Sequence, residues 1–95
     1  MPEMSFRVRW PDETVTSCYS PSRVIKDYIR PGQSYEIADF VARSRLALHL
    51  ASERVAQKYG FFCSSAAAQL AEIERLARRF EGTPGARVMV EAFDD

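Results

Sequence analysis

The stretch SFRVRW at residues 5–10 alternates strictly between apolar and polar side chains, and no other feature of the sequence limits the fold as strongly. In an extended chain, successive side chains point to opposite sides. One side of this segment would carry Phe6, Val8 and Trp10, and the other would carry Arg7 and Arg9. The pattern therefore predicts a β-strand with one buried face and one wet face.

A second strand follows after a short turn. In PDE (11–13), proline fixes φ and aspartate can bond its own backbone, which is typical of a turn. TVTSCYS then continues with β-branched and aromatic residues, so we predict a β-hairpin over residues 5–19. The face with Val15 and Tyr19 is the better apolar partner for the first strand, which places Cys18 on the outer face unless a bulge intervenes.

Three helices are predicted after the hairpin, at about residues 21–29, 38–59 and 65–81. Ser20 followed by Pro21 is a helix-start signal, and Gly60 is well placed as a left-handed helix cap. Apolar side chains recur at helical spacing in all three segments. QSYEI, between the first two, is predicted to be an extended connector.

A last strand is predicted at about residues 87–93, in RVMVEAF, and it would add beside the first strand. The predicted fold class is therefore α+β with the order β-β-α-α-α-β. It would form a three-stranded, mainly antiparallel sheet with the helices packed on one face. The length of 95 residues suits a single domain covering 1–95.

Composition narrows the functional classes. Thirteen Lys and Arg balance thirteen Asp and Glu, so no global field draws the chain to nucleic acid or to an anionic membrane. A neutral chain also repels its own copies weakly, which favours self-association. The sequence shows neither a signal-peptide pattern nor an apolar run long enough to span a bilayer. We expect a cytoplasmic protein.

Candidate catalytic groups are few. The sequence contains no CxxC, HExxH, GxSxG or phosphate-binding glycine loop, so we expect neither a metal site nor a cofactor. Cys18 and Cys63 each precede a predicted helix start, where the helix dipole favours a thiolate, and His49 is the one imidazole. Unpaired cysteines are more often buried as small apolar groups, and we favour packing for both.

Two further sets of residues are candidates for binding. Arg7 and Arg9, with Cys18 and Arg87, would form a surface on the outer sheet face, although an ordinary solvated face is the favoured interpretation. Tyrosine is enriched at interfaces because it is amphipathic. The candidate interface residues of this kind are Tyr19, Tyr28 and Tyr59.

Several segments resemble a small bacterial family of nitrogen starvation response proteins: RVRWPD, CYSPS, KDY with the following PG, DFVARSR, ASERV and KYGF with the cysteine two residues on. Members are encoded in nitrilase-linked gene clusters associated with the use of cyanide or nitrile nitrogen. The resemblance implies a pathway context and no mechanism, so it assigns no catalytic residue.

Three functions are consistent with these observations. The preferred one is a non-catalytic accessory protein that binds a pathway intermediate, another protein of the same pathway or a second copy of itself. The alternative is a small thiol-dependent enzyme or carrier that uses Cys18 or Cys63, with His49 assisting. A nucleic-acid-binding regulator is disfavoured by the neutral charge.

Overall fold

The computed structural model describes residues 3–60 and 64–94. Their elements follow in the order β1 Met4–Arg9, β2 Val15–Ser20, a 3₁₀ helix Arg23–Asp27, β3 Ser34–Glu36, α1 Ile37–Tyr59, α2 Ser64–Arg78 and β4 Arg87–Asp94. The fold is α+β, as predicted. The predicted count of three strands and three helices is wrong, because the described residues form four strands and two α-helices.

All strand pairs of the sheet are antiparallel, in the order β2-β1-β4-β3. β4 adds beside β1, as expected, with a bulge between Arg7 and Val8 in the pairing. The fourth strand, β3, lies in the predicted connector and pairs Tyr35 with Val88. A strand of three residues is too short for its pattern to identify it from sequence.

The segment predicted as a helix over residues 21–29 forms only the short 3₁₀ helix. Its cap is Ser22, whose side chain accepts a hydrogen bond from the Val24 amide at 3.1 Å, rather than Ser20. In a segment this short, too few hydrogen bonds form to offset the unfavourable free energy of starting an α-helix. Directly after it the chain must return to the sheet, where the Gly32 amide donates to the Val90 carbonyl at 2.8 Å.

The hairpin between β1 and β2 closes through a three-residue loop at 11–13. The Trp10 amide donates to the Thr14 carbonyl at 2.8 Å, and the Glu13 amide donates to the Trp10 carbonyl at 2.9 Å. Glu13 has a φ of 72°, the left-handed position that usually holds glycine in such loops. Asp12 accepts from both the amide and the hydroxyl of Thr14, and these bonds lower the pKa of its carboxyl.

This loop places Cys18 on the inner face, so its predicted outward orientation is wrong. Because the loop has three residues, Trp10 lies opposite Thr14, and counting back along both strands places Phe6 opposite Cys18. Residues directly opposite each other in a sheet share a face. Cys18 is therefore buried with Phe6, while Val15 on the other face is 48% exposed.

The core lies between the inner sheet face and the helices. Trp10, 1% exposed, is its largest buried side chain. Its ring meets Phe40 of α1 edge-on at 5.8 Å and stacks on Phe80 at 6.2 Å, and its Nε1 donates to Thr16 Oγ1 at 3.0 Å. Helix α1 ends as predicted, with Gly60 left-handed and its amide bonded to the Ala56 carbonyl.

Candidate functional site

The predicted thiol site is not assembled from the groups that the structure describes. Cys18 is 2% exposed, and burial raises the pKa of its thiol to about 11. Its hydrogen-bond partner among the described residues is Thr16, with Oγ1 3.8 Å from Sγ. A protonated thiol in the core is a poor nucleophile, because the thiolate is the reactive form. Cys63 lies outside the described residues.

His49 lies in a different environment from Cys18. It is exposed on α1 and pairs with Glu53 one turn later, at 3.1 Å. With Leu46, Leu70 and Ala67 it lines a shallow apolar groove between the two helices. Within residues 3–60 and 64–94, no group of three or more His, Cys, Asp or Glu side chains is arranged to hold a metal ion.

The arginines of the outer sheet face are bound by the chain's own acceptors. Arg7 pairs with Asp94 at 3.3 Å, and Arg9 pairs with both Glu13 and Glu91. Arg87 lies on β4 near the β3 edge of the sheet and donates to the Ser34 carbonyl at 3.0 Å. The predicted surface of arginines with Cys18 does not exist, since Cys18 is on the inner face and the guanidinium groups already have partners.

The three candidate tyrosines lie far apart in the fold and serve different contacts. The Tyr19 amide donates to the side chain of Gln69 on α2 at 2.8 Å. The carbonyl of the half-buried Tyr28 accepts a hydrogen bond from Arg43 at 2.8 Å. Tyr59, 52% exposed at the end of α1, has Lys58 over its ring. They do not form one surface.

A cleft that sequence reasoning missed lies between the first half of α1, the end of α2 and the loop that leads into β4. Its volume is about 730 Å³. Residues from three separate segments line it, and no motif connects them in the sequence. The apolar part of the lining is formed by Ile37, Val41, Ala77 and Phe80, and the charged part by Glu36, Arg45, Glu74, Arg78, Glu81 and Arg87.

The charges around this cleft are unequally satisfied. Arg45 of α1 pairs with Glu74 of α2 at 2.7 Å and joins the two helices at one side of the cleft. Among the described residues, the side chains of Arg78, Glu36 and Glu81 have no ion pair. Arg87 has no ion pair either, but its guanidinium group donates to Ser34. The cleft therefore combines an apolar wall with two unpaired carboxylates and with Arg78, whose guanidinium group has no partner among the described residues.

Neither α1 nor α2, as far as the described ranges extend, has a stretch both long and apolar enough to cross a bilayer.

Comparison with known protein families gives a match over most of the chain. Residues 5–93 match the family described as nitrogen starvation-induced protein NitG. The chain belongs to the NitG family. No curated protein and no solved structure matches it.

The match to the NitG family covers the whole cleft as well as the hairpin and both helices. It supports a role in the response to nitrogen starvation. The resemblance found in the sequence is to that extent confirmed, because the matched family is named for induction under nitrogen starvation.

Proposed function

We propose that this chain is a non-catalytic binding protein of the nitrogen starvation response, and that its ligand is a small zwitterion with an apolar body. The observation that carries the proposal is the cleft at the ends of α1 and α2. Its volume of about 730 Å³ lies within the range of small-molecule sites.

The chemistry of the lining selects the ligand class. Ile37, Val41 and Phe80 offer an apolar wall against which an aliphatic group can pack. Arg78 can hold a carboxylate through two parallel hydrogen bonds, and the carboxylates of Glu36 and Glu81 can accept from an ammonium group. A ligand that carries both charges satisfies both sets, whereas a simple anion would leave the acidic groups opposing it.

The absence of catalysis is part of the same proposal. The one described cysteine is buried and its thiol pKa is raised, so it is held in the unreactive form. The cleft itself offers arginines, carboxylates and apolar groups. These groups suit binding, and the described lining includes no histidine, cysteine or lysine.

The cellular setting that we propose is the cytoplasm of a bacterium that uses a nitrilase-linked pathway for nitrogen. The ligand would be an intermediate or product of that pathway. The sequence segments that resemble the family, together with the match to the NitG family, support this setting.

The test measures the binding of three matched probes by NMR or by calorimetry. L-leucine carries both charges, 4-methylpentanoate lacks the ammonium group, and 3-methylbutylamine lacks the carboxylate. We expect L-leucine to bind more tightly than either analogue. Arg78→Gln should weaken its binding about tenfold or more, since a hydrogen bond to a charged group contributes about 1.5–3 kcal/mol.

The neighbouring arginine supplies the control. Arg79 is exposed and lies outside the cleft, so Arg79→Gln should leave binding unchanged. Equal binding of the three probes, or equal loss in the two variants, would contradict the proposed ligand class. If no probe shifts the resonances of the cleft residues, the cleft is not a site for small zwitterions.

A further inference from the structure

The two edges of the sheet are protected to very different degrees. β3 forms one edge and has only three residues, including Glu36, after the Pro31-Gly32 turn. β2 forms the other edge with six residues, VTSCYS, none of them charged and none of them proline. Short strands, charges and proline are the usual means by which an edge is kept from pairing. β2 has none of these.

The backbone groups of β2 alternate between β1 and the outside. Trp10 and Thr14 form a hydrogen-bonded pair at the start of the ladder. The backbone N–H and C=O groups of Thr16, Cys18 and Ser20 therefore also point towards β1. Those of Val15, Ser17 and Tyr19 point outward, away from the sheet. The Tyr19 amide has the Gln69 side chain as its partner at 2.8 Å.

Val15 and Ser17 differ from Tyr19 in this respect. Both are exposed, and neither outward amide has a partner among the described residues. Two donors and two acceptors therefore stand free at the middle of an uncharged, extended edge. Their natural complement is another strand in the antiparallel direction.

We propose that a second copy of this chain pairs with this edge, β2 against β2, to form a symmetric dimer with a continuous eight-stranded sheet. Val15 of each copy lies opposite Ser17 of the other, with the two-fold axis at Thr16. This register uses all four free groups of each copy and leaves the Tyr19 amide with Gln69. A register centred on Ser17 would instead place Tyr19 opposite Val15 and break that bond.

Charge supports a second copy as the occupant. β2 has no charged side chain, so the seam brings no like charges directly together. The chain as a whole has no net charge, so two copies do not repel each other at long range. A hydrogen-bonded strand seam is small for an interface, so we expect a dimer that dissociates on dilution.

The test is sedimentation or light scattering over a wide concentration range. The mass should rise from the 10.8 kDa of one chain towards twice that value. Ser17→Lys places a charge on the seam and should weaken the dimer at least about tenfold. Ser34→Lys places the same charge on the β3 edge and should leave it unchanged, while circular dichroism checks that both variants fold.

Hydrogen exchange provides the second readout. In the dimer the Val15 and Ser17 amides should exchange more slowly at high concentration than at low, whereas the Tyr19 amide should not change. A mass of 10.8 kDa at every concentration would overturn the proposal. So would equal effects of the two lysine variants, or exchange at Val15 and Ser17 that does not depend on concentration. Because no cleft residue lies on β2, these outcomes leave the proposed ligand untouched.

Discussion

The inner and outer faces of the sheet are built by alternate residues of the same strands, yet they are organised by different forces. On β1, Phe6 and Val8 are wholly buried, and they pack with core residues from the helices. Arg7 and Arg9 alternate with them along the strand, remain partly exposed, and pair with carboxylates on β4 and in the hairpin loop. Burial of apolar area stabilises the inner face, whereas the ion pairs neutralise the outer face without adding much stability.

The comparison shows why outward charge is a poor guide to function here. A row of arginines suggests an anion site when it is considered alone. In the structure, Asp94, Glu91 and Glu13 form ion pairs with those guanidinium groups. Unpaired charges do lie around the cleft at the helix ends, at Glu36, Arg78 and Glu81.

The largest difference between the faces should appear on truncation of one side chain from each. Trp10→Ala should lower the free energy of unfolding by about 3–5 kcal/mol, because it removes a buried aromatic ring between Phe40 and Phe80. Met89→Ala, on the outer face and 39% exposed in the native chain, should cost about 0.5 kcal/mol. Denaturant unfolding followed by circular dichroism measures both. Similar costs for the two variants would show that the faces do not differ as described.

A smaller effect is expected from the buried thiol at high pH. Burial raises the pKa of Cys18 from 9.0 to about 11, so the folded state holds its proton more tightly than the unfolded state. The resulting stability is fully present below pH 9 and is lost as pH rises towards 11. The loss should be about 2–3 kcal/mol, since one pKa unit corresponds to about 1.4 kcal/mol.

The Cys18→Ala variant isolates this contribution from those of all other groups in the chain. Between pH 9 and pH 11, the wild type should lose more stability than the variant. Parallel pH curves for the two proteins would mean that the thiol is not buried in solution. Slow alkylation of Cys18 at pH 8, compared with its rate in denaturant, is an independent measure of the same burial.

The smallest effect is expected on the outer face. Arg9→Gln removes the pairs with Glu13 and Glu91, yet it should change the free energy of unfolding by less than about 1 kcal/mol, because exposed ion pairs gain little over water. The same measurement in high salt should reduce the difference further. A cost above about 2 kcal/mol would show that this face is more than a neutralised surface.

Local patterns in the sequence predicted most of the fold. The alternation in β1, the glycine after α1 and the apolar stripes of the helices identified the hairpin and the two long helices. The position of β4 beside β1 was also predicted. The hairpin and the two helices depend on neighbours within one or two turns of chain, whereas the position of β4 followed from the rules of sheet topology. β3 was missed because its pairing with the distant β4 defines it. The 3₁₀ helix was predicted as an α-helix because its apolar spacing is helical, but the segment is short and the chain returns at once to the sheet, where the Gly32 amide donates to the Val90 carbonyl.

The site was harder to predict than the fold. The error at Cys18 came from a single loop residue, because an even loop would have turned the opposite face of β2 inward. The cleft unites Ile37, Arg45, Arg78 and Arg87, and their proximity follows only from the packing of α1 against α2 and from the path into β4. No spacing in the sequence shows such a convergence.

The position of β4 in the sheet has a consequence for how the chain acquires its fold. β1 pairs with β2 across three residues, but it pairs with β4 across about 80 residues. During synthesis the hairpin can close early, since short loops cost little entropy, while the other side of β1 stays open until residues 87–94 arrive. Until then, Phe6 and Val8 belong to an incomplete sheet with an exposed edge. The central strand of this molecule is therefore the part that a chaperone or a protease would meet before folding is complete.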